Sequence, residues 1–308
     1  MQREILISAH GLLPRAALLE DNELAEVYYD ANRSKGAAGQ IYKGCVTDVL
    51  PGMQAAFVNI GAEKNAFLYI DEVDKRNRSK QTPIEQLLHP GDEIIVQVSK
   101  EAVGTKGPRV TEFVSLPGRY LVLSPKTTGI GISRKITSKA ERTRLRQTMT
   151  RLCGEEIGLI VRTAARFASE EECVLDFERL RDQWEAIVKK AERLPAPVLL
   201  YEDESLTVRA LRDFFSPEVI EVVVDDPAAL REAKALISNW MPEWTGRLTL
   251  FHGNMDLFEQ RGIDQSLNKA LRRKIWLRSG GYLIIDHTEA WPLGPLPPCS
   301  LHDDLISG

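Results

Sequence analysis

Two neighbouring residues in the middle of the sequence have side chains suited to holding a phosphate. Arg162 and Thr163 follow the strand-like run EIGLI, which places a guanidinium and a hydroxyl side by side at a strand end. A guanidinium can grip a phosphate with two parallel hydrogen bonds, and the hydroxyl can add another. A surface arginine followed by a turn-forming threonine is the alternative. Glycines in the segments TKGPR and LPGRY offer backbone amides to the same anion.

A second group of residues is suited to binding bases. Phe57 and Phe67 lie in the strand-like runs AAFVNIG and AFLYI, and Lys106 lies in a later loop. Small β-barrels hold single-stranded nucleic acid by stacking its bases on exposed aromatic rings beside a basic groove. Aromatic residues that alternate along a strand are also common in protein cores, so the spacing leaves both roles open.

The motifs of several other enzyme classes are absent from the sequence. It contains no nucleophile elbow, no Walker loop and no HExxH segment. Asp286 and Glu289 in IIDHTEA are the acids to weigh as metal ligands, although two carboxylates three residues apart at a strand end more often serve the fold. The four cysteines are widely scattered without a CxxC pair, which predicts neither a zinc site nor a disulfide framework.

The composition is that of a soluble protein with room for two or three domains, since 308 residues with 43% hydrophobic and 27% charged residues can bury a substantial core. No apolar run reaches transmembrane length and the first residues do not form a secretory signal, so we expect a cytoplasmic protein without a membrane partner. With a net charge of −4, binding to nucleic acid needs a local basic patch. Residues 134–151 form one, with seven Lys or Arg against one acid, although such runs are commonly solvated helix faces.

The first half of the sequence predicts β-structure. The early runs EILIS, RAALLE and ELAEVYY have the rhythm of an antiparallel meander, which must pair with a later segment. Five further runs follow: QIYKGCVTDVL, MQAAFVNI, NAFLYI, EIIVQVSK and PRVTEFVSL. Five short strands separated by turn residues favour a small closed barrel of the OB type.

The second half of the sequence alternates helices with strands. Ser169 and Glu172 form a capping-box pattern ahead of an amphipathic helix, and Asp226 and Pro227 open another helix as its cap and first residue. The runs VLLY, VIEVVV and RLTLF predict strands, and KIWLRSGGYLIIDHTEA predicts a hairpin. We therefore expect an α/β domain whose sheet begins with the N-terminal meander and finishes after residue 205, with the other modules inserted.

Several phrases, in order along nearly the whole chain, resemble those of the RNase E/G family. They are GQIYKG, LPGMQAAFVNIG, AFLY, KEAVGTKGPRVTEFVSLPGRYLVL, GIGISRKI, GLIVRTAA and SGGYLIIDHTEA. The resemblance implies an α+β multi-domain fold, in which an RNase H-like α/β domain is interrupted by an S1-type OB barrel that binds RNA and by a 5′-sensor domain. The implied boundaries are 1–36 and 206–275 for the RNase H-like domain, 37–118 for the barrel, 119–205 for the 5′-sensor domain and 276–308 for the start of a DNase I-like catalytic domain.

The resemblance also implies roles for individual residues. Single-stranded RNA would be held by Phe57, Phe67 and Lys106. A pocket for a 5′-monophosphate, which a triphosphate would overfill, would be formed by Gly118, Val122, Arg162 and Thr163. The implied partner is single-stranded RNA, preferably with a 5′-monophosphate, and the implied activity is magnesium-dependent endoribonuclease cleavage in rRNA processing and RNA decay.

The resemblance stops abruptly after Ala290. There the family continues through a phrase of the type I-D-x-N, whose Asp holds magnesium, then a second metal-binding Asp and a short cysteine motif that joins subunits through zinc. This sequence continues instead as WPLGPLPPCSLHDDLISG, a proline-rich segment that matches nothing in the family. We therefore carry over no catalytic or metal-binding residue, and we expect the magnesium ligands and the zinc-linked homo-oligomer interface to be missing. Our hypothesis is that the tail is an out-of-frame or rearranged ending.

Three functions stay open at this point. The leading hypothesis is a 5′-monophosphate-sensing, single-strand-specific endoribonuclease whose catalytic carboxylates this chain lacks. The second is a non-catalytic RNA-binding protein, and the third is a structural partner that binds full-length homologues. Cleavage of a 5′-monophosphorylated oligonucleotide separates the first from the others, and binding without turnover separates the second from the third.

Overall fold

The computed structural model describes residues 2–10, 13–30, 37–74, 82–104, 106–154, 157–202, 204–277 and 279–286. Glu289 and the segment after Ala290 lie outside the described residues. The chain divides into two compact units, residues 1–252 and 253–308. Within the described part, no helix combines the length and the apolar character needed to cross a membrane.

The strands and helices follow one another along the chain. The first strands are β1 (Arg3–Ser8), β2 (Arg15–Glu20), β3 (Glu23–Tyr29), β4 (Ile41–Leu50), β5 (Ala55–Asn59), β6 (Ala66–Tyr69), β7 (Glu93–Lys100), β8 (Arg109–Thr111) and β9 (Leu116–Pro117). The later strands are β10 (Leu121–Ser124), β11 (Ile130–Ile132), β12 (Gly158–Val161), β13 (Val198–Tyr201), β14 (Val219–Val224), β15 (Leu248–Leu250), β16 (Lys274–Trp276) and β17 (Tyr282–Ile284). The α-helices are α1 (Lys139–Cys153), α2 (Glu170–Arg193), α3 (Leu206–Phe214), α4 (Pro227–Trp240), α5 (Leu257–Gln260) and α6 (Ile263–Ala270).

The first sheet combines strands from both ends of the larger unit, in the order β15-β14-β1-β2-β3. The three N-terminal strands run antiparallel, whereas β14 lies parallel to β1, with Ile5 opposite Val222. Helices α3 and α4 bury apolar side chains in the same core. Asp226 caps α4, because its carboxylate accepts a hydrogen bond from the Ala229 amide at 2.7 Å. The expected α/β sheet with other modules inserted is confirmed.

The second sheet closes on itself into the predicted five-stranded barrel. Its order is β4-β5-β6-β8-β7, and β4 pairs with β7 to complete the ring, while β13 adds to the outside of β4. Val58, Leu68 and Val96 are among the side chains that fill the interior. The last predicted run is divided, because β8 completes the barrel and β9 belongs to the next sheet.

The third sheet has the order β11-β12-β10-β9 and packs its inner face against α2. The predicted capping box is present at the start of α2. Ser169 Oγ accepts from the Glu172 amide at 3.1 Å, and the Glu172 carboxylate accepts from the Ser169 amide at 2.7 Å. Most of the basic run lies on α1, which buries Leu145 and Met149 and exposes most of its charged residues.

The second unit contains α5, α6 and the predicted hairpin. Strands β16 and β17 are antiparallel, with Ile275 opposite Leu283. The Leu277 amide donates to the Gly281 carbonyl oxygen at 2.8 Å, which closes the turn. Asp286 forms an ion pair with Arg273 at the open end of the hairpin.

Candidate nucleic-acid interface

Phe57 and Phe67 face outward from the barrel. They are opposite one another on β5 and β6, and their ring centroids are 5.9 Å apart in an edge-to-face arrangement. The neighbours of each phenylalanine along its strand are buried in the barrel core. Because successive side chains of a strand point to opposite faces, both rings lie on the outer surface, where each is half-buried. The pair is therefore accessible to a stacking base.

Two further residues extend this surface and were missed in the sequence. Tyr69 is 38% exposed and stacks on Phe67 with ring centroids 6.4 Å apart. Arg109 is opposite Phe67 on β8 and is exposed, whereas the next residue, Val110, is buried. Alternation within AFLYI could have indicated Tyr69. Arg109 required knowledge of the parallel pairing between β6 and β8, which the local sequence does not encode.

Lys106 lies in the loop that leads into β8. Backbone hydrogen bonds between Val103 and Lys106, of 3.1 and 3.2 Å, make this loop a tight turn. Lys64 Nζ donates to the Gly104 carbonyl oxygen at 2.8 Å, which links the turn to the loop between β5 and β6. The Phe67 amide donates to the Pro108 carbonyl oxygen at 2.7 Å. The exposed Lys106 is thus two residues from a backbone atom bonded to Phe67.

Arg162 is held at the end of β12 by partners on two other elements. Its Nη1 donates to the Gly118 carbonyl oxygen at 3.0 Å, and its Nη2 forms an ion pair with Asp213 on α3. Its backbone amide donates to the Tyr120 carbonyl oxygen at 2.8 Å. A guanidinium has five N–H donors. These two side-chain bonds therefore leave the others able to bind an anion.

The other three residues of the predicted phosphate pocket have different surroundings. The Gly118 amide donates to the Leu121 carbonyl oxygen at 2.8 Å, so Gly118 contributes to the arrangement through the carbonyl that accepts from Arg162. Val122 is half-buried on the outer face of the third sheet, opposite Ile160. Thr163 Oγ1 is 2.9 Å from Ser133 Oγ in a hydrogen bond between hydroxyls.

A cavity of about 510 Å³ opens between the barrel, the third sheet and α3. Val122 and Arg162 line it, together with Arg212 and Asp213 of α3 and Tyr201 of β13. Gly118 and Thr163 are not among the lining residues. The cavity wall thus brings two of the four predicted pocket residues together with a second arginine that sequence reasoning missed.

The charges beside this cavity stabilise an ionised Asp213. Burial acts to raise the pKa of Asp213, but hydrogen bonds and positive charge from Arg212 and Arg162 outweigh it and hold that pKa below its usual value. Tyr28 donates its hydroxyl to Asp213 Oδ2 at 3.4 Å. Burial, with the negative charge of Asp213, raises the pKa of Tyr28 to about 12, so Tyr28 remains a donor at neutral pH.

Of the two acids considered as metal ligands, Glu289 lies outside the described part of the chain and Asp286 lies within it. No group of three or more His, Cys, Asp or Glu side chains is arranged there to hold an ion. Asp286 is bound instead by the Arg273 guanidinium, with Nε 2.5 Å from Oδ1. That hydrogen bond and charge lower the pKa of Asp286.

Comparison with known proteins gives consistent matches along the chain. A model of the Ribonuclease E/G family matches residues 115–292, and a model of the S1 RNA binding domain matches residues 35–111. Ribonuclease G of Haemophilus influenzae is 38% identical over 296 residues, which cover 93% of this chain and 60% of that protein. Ribonuclease G of Escherichia coli strain K12 is 36% identical over 299 residues, covering 94% of this chain and 61% of that protein.

A relative of another type, a ribonuclease E, shows the same pattern. Ribonuclease E of Nostoc is 38% identical over 295 residues, covering 94% of this chain and 42% of its own length. The chain therefore spans about 60% of the ribonuclease G relatives and a smaller part of this ribonuclease E. The family model, the barrel and the identities agree, and the chain belongs to the ribonuclease E/G family.

Proposed function

We propose that this chain recognises RNA for an endoribonuclease of the ribonuclease E/G type, by binding single-stranded RNA on the barrel and a 5′-monophosphate beside Arg162. The observation that carries the proposal is the outward-facing pair Phe57 and Phe67, with Tyr69 and Arg109 beside it. Three aromatic rings next to a cation offer stacking partners and phosphate contacts to an unpaired strand. Lys106 adds a further positive charge near the same strands.

The preference for a 5′-monophosphate is supported by the contacts of Arg162. Its guanidinium is fixed by Gly118 and Asp213 yet only partly used, and it lines a cavity of about 510 Å³ with Val122. Hydrogen bonds from an arginine to a phosphate are stronger than those between neutral groups. A 5′-hydroxyl end offers no such charge, so the RNA end with the phosphate is preferred.

We propose the following domain assignment for the chain. Residues 1–36 and 206–275 form an RNase H-like domain, 37–118 an S1-type barrel, 119–205 a 5′-sensor domain and 276–308 the start of a DNase I-like domain. The pairing of β1 with β14 and the closure of β4 on β7 support the first two. The proposed boundary at residue 275 lies inside the compact unit 253–308, which also contains α5 and α6. Limited proteolysis should therefore test this boundary first.

The described residues do not fit a magnesium site, so we derive no step of cleavage from them. Phosphodiester hydrolysis by a metal needs carboxylates placed to hold a hard cation and activate water. Asp286 is bound by Arg273, and no acidic cluster accompanies it in the described part of the chain. The family resemblance implies magnesium-dependent cleavage of RNA, in rRNA processing and RNA decay in the cytoplasm. An activity assay must therefore test this part of the proposal.

The test uses one purified protein and four RNA oligonucleotides of the same sequence. These are single-stranded RNA with a 5′-monophosphate, the same strand with a 5′-hydroxyl, and each annealed to its complement. The proposal expects the tightest binding to the single strand with the monophosphate and weaker binding to both duplexes. Equal affinity for single strands and duplexes would overturn the role of the barrel, and equal affinity for the two single-strand ends would overturn the sensing role.

The same samples, incubated with magnesium, separate the two candidate functions. Cleavage of the single strand that is lost when the metal is chelated would support the endoribonuclease. Binding with no cleavage would support the alternative, a non-catalytic RNA-binding protein.

A further inference from the structure

Asp213 links Arg162, the proposed phosphate-binding residue, to an element outside the third sheet. Arg162 directly follows β12 of the third sheet, whereas Asp213 lies on α3, which packs on the first sheet. The Asp213 carboxylate accepts from Arg162 Nη2 and from Arg212 Nε, the latter at 3.2 Å. Tyr28, on β3, donates to its other oxygen. Three elements therefore converge on this carboxylate.

We propose that Asp213 is a positioning residue for 5′-phosphate recognition, which orients the Arg162 guanidinium toward the cavity without itself touching the RNA. This inference rests on the proposed function of Arg162. An arginine side chain has several rotatable bonds, so an unrestrained guanidinium would lose conformational entropy when it binds phosphate. With Gly118 and Asp213 on its two terminal nitrogens, Arg162 loses that freedom before the ligand arrives.

The position of Asp213 is itself fixed by a buried arginine. Arg119, next to Gly118, is 2% exposed and donates through Nη1 to the Arg212 carbonyl oxygen at 2.8 Å and through Nη2 to the Phe215 carbonyl oxygen. Arg212 lies in the last turn of α3 and Phe215 directly follows the helix, so the helix has no backbone donors of its own for these carbonyls. Arg119 therefore joins the segment before β10 to the end of α3. Gly118 precedes Arg119 in the chain, and Asp213 follows Arg212. The hydrogen bond between Arg119 and Arg212 therefore also holds Gly118 and Asp213, the two partners of Arg162, close to each other.

Asp213 carries a negative charge close to the proposed phosphate site, and this charge would repel the phosphate. Arg212 lies beside it and donates through both Nε and Nη2, so the charge of Asp213 is shared between two cations. A shared counter-ion leaves more of the positive charge of Arg162 for a ligand than a dedicated partner would. Positioning, rather than competition with the phosphate, is thus the expected effect of Asp213.

The experiment measures discrimination, defined as the affinity for 5′-monophosphate RNA divided by the affinity for 5′-hydroxyl RNA of the same sequence. We expect Asp213→Ala to reduce this ratio by about tenfold or more, the loss typical of a misplaced charge-assisted hydrogen bond. Asp213→Glu should recover part of the ratio because it keeps the carboxylate. Asp213→Asn keeps the shape of the side chain and decides the matter should the alanine variant fail to fold.

A matched control comes from a second, largely buried ion pair in the same unit. Lys126 Nζ is 2.9 Å from Glu112 Oε1, and both side chains are less than 20% exposed, at 17% and 10%. Glu112→Gln should lower the midpoint of thermal unfolding and leave discrimination unchanged. This control separates an effect on the stability of the protein from an effect on discrimination between the two RNA ends.

The outcomes distinguish this inference from the function on which it rests. A wild-type protein that binds both RNA ends equally would overturn the sensing function and the role of Asp213 together. A wild-type protein that discriminates, with folded Asp213→Ala and Asp213→Asn variants that discriminate equally well, would overturn the role of Asp213 alone. An increased ratio in these variants would also overturn it, since it would show that Asp213 competes with the phosphate.

Discussion

A β-carbon on Gly118 would lie 2.5 Å from one carboxylate oxygen of Asp176 and 2.7 Å from the other. The Asp176 carboxylate occupies this position because it accepts backbone hydrogen bonds from Tyr120 at 2.8 Å and from Leu121 at 3.0 Å. Asp176 is buried on α2, so the carboxylate has little room to withdraw. Glycine is required at position 118 by a neighbouring side chain, whatever else Gly118 does for a phosphate.

Replacing Gly118 with alanine should therefore destabilise the protein. The added methyl group must displace a buried, hydrogen-bonded carboxylate, and overpacking of this kind costs about 1–3 kcal/mol. Urea unfolding followed by tryptophan fluorescence measures the change. Gly246→Ala is the control, since a β-carbon there meets no atom within 4 Å. Equal stability of the two variants would contradict the prediction.

Phe67→Ala should weaken the binding of single-stranded RNA by about 5- to 150-fold, because one base stack contributes roughly 1–3 kcal/mol. Fluorescence anisotropy of a labelled oligonucleotide measures the affinity. Tyr29→Ala is the matched control, since Tyr29 is an exposed aromatic residue on β3, outside the barrel. A folded Phe67→Ala variant with unchanged affinity would show that bases do not stack there.

Arg162→Ala should bring the affinity for 5′-monophosphate RNA close to that for 5′-hydroxyl RNA. The reason is the loss of a charge-assisted fork on the terminal phosphate, which the hydroxyl end never had. Arg146→Ala removes an exposed cation from α1 and should lower both affinities equally, if at all. The idea fails if the two arginine variants change the two affinities in the same proportion.

Discrimination between the two RNA ends should also decline as the pH falls through about 6, where a phosphate monoester takes up its second proton. Asp213 does not cause this decline. Its pKa is depressed, so the stability that it contributes is present above its unfolded-state pKa of about 3.9 and is lost only as the pH falls through its lower folded-state pKa. Binding titrations between pH 5 and 8 provide the measurement, and a ratio that stays constant across this range would contradict it.

The order of elements and the family could be predicted from the sequence because their signals are local. The capping box at Ser169 and Glu172 and the cap at Asp226 are present as predicted. The five barrel runs also form strands, since alternating side chains and turn residues between runs encode them directly. The sequence also predicts that the N-terminal meander pairs with a later segment, and β14 is that segment.

The partners of the candidate site residues could not be predicted in the same way. Asp176 lies between Cys173 and Phe177 on the buried face of α2, where an acid contradicts the apolar pattern unless its backbone partners are known. Asp213 meets Arg162 across 51 residues of chain, and no local periodicity relates the two. Long-range polar pairing depends on the packed arrangement of the modules, which the sequence pattern does not specify.

The strand order of the first sheet also determines the order in which parts of the protein can fold during synthesis. Ala9, just after β1, is bonded to Asp225, just after β14, and 216 residues separate them. At the usual pace of translation, roughly 10 to 40 s pass between the emergence of these two segments from the ribosome. The barrel, complete in β-strands by Thr111, can close during that interval, while the N-terminal meander waits with the edge of β1 unpaired. The nascent chain is therefore expected to acquire the proposed RNA-binding surface of the barrel before the sheet on which α3 packs is finished.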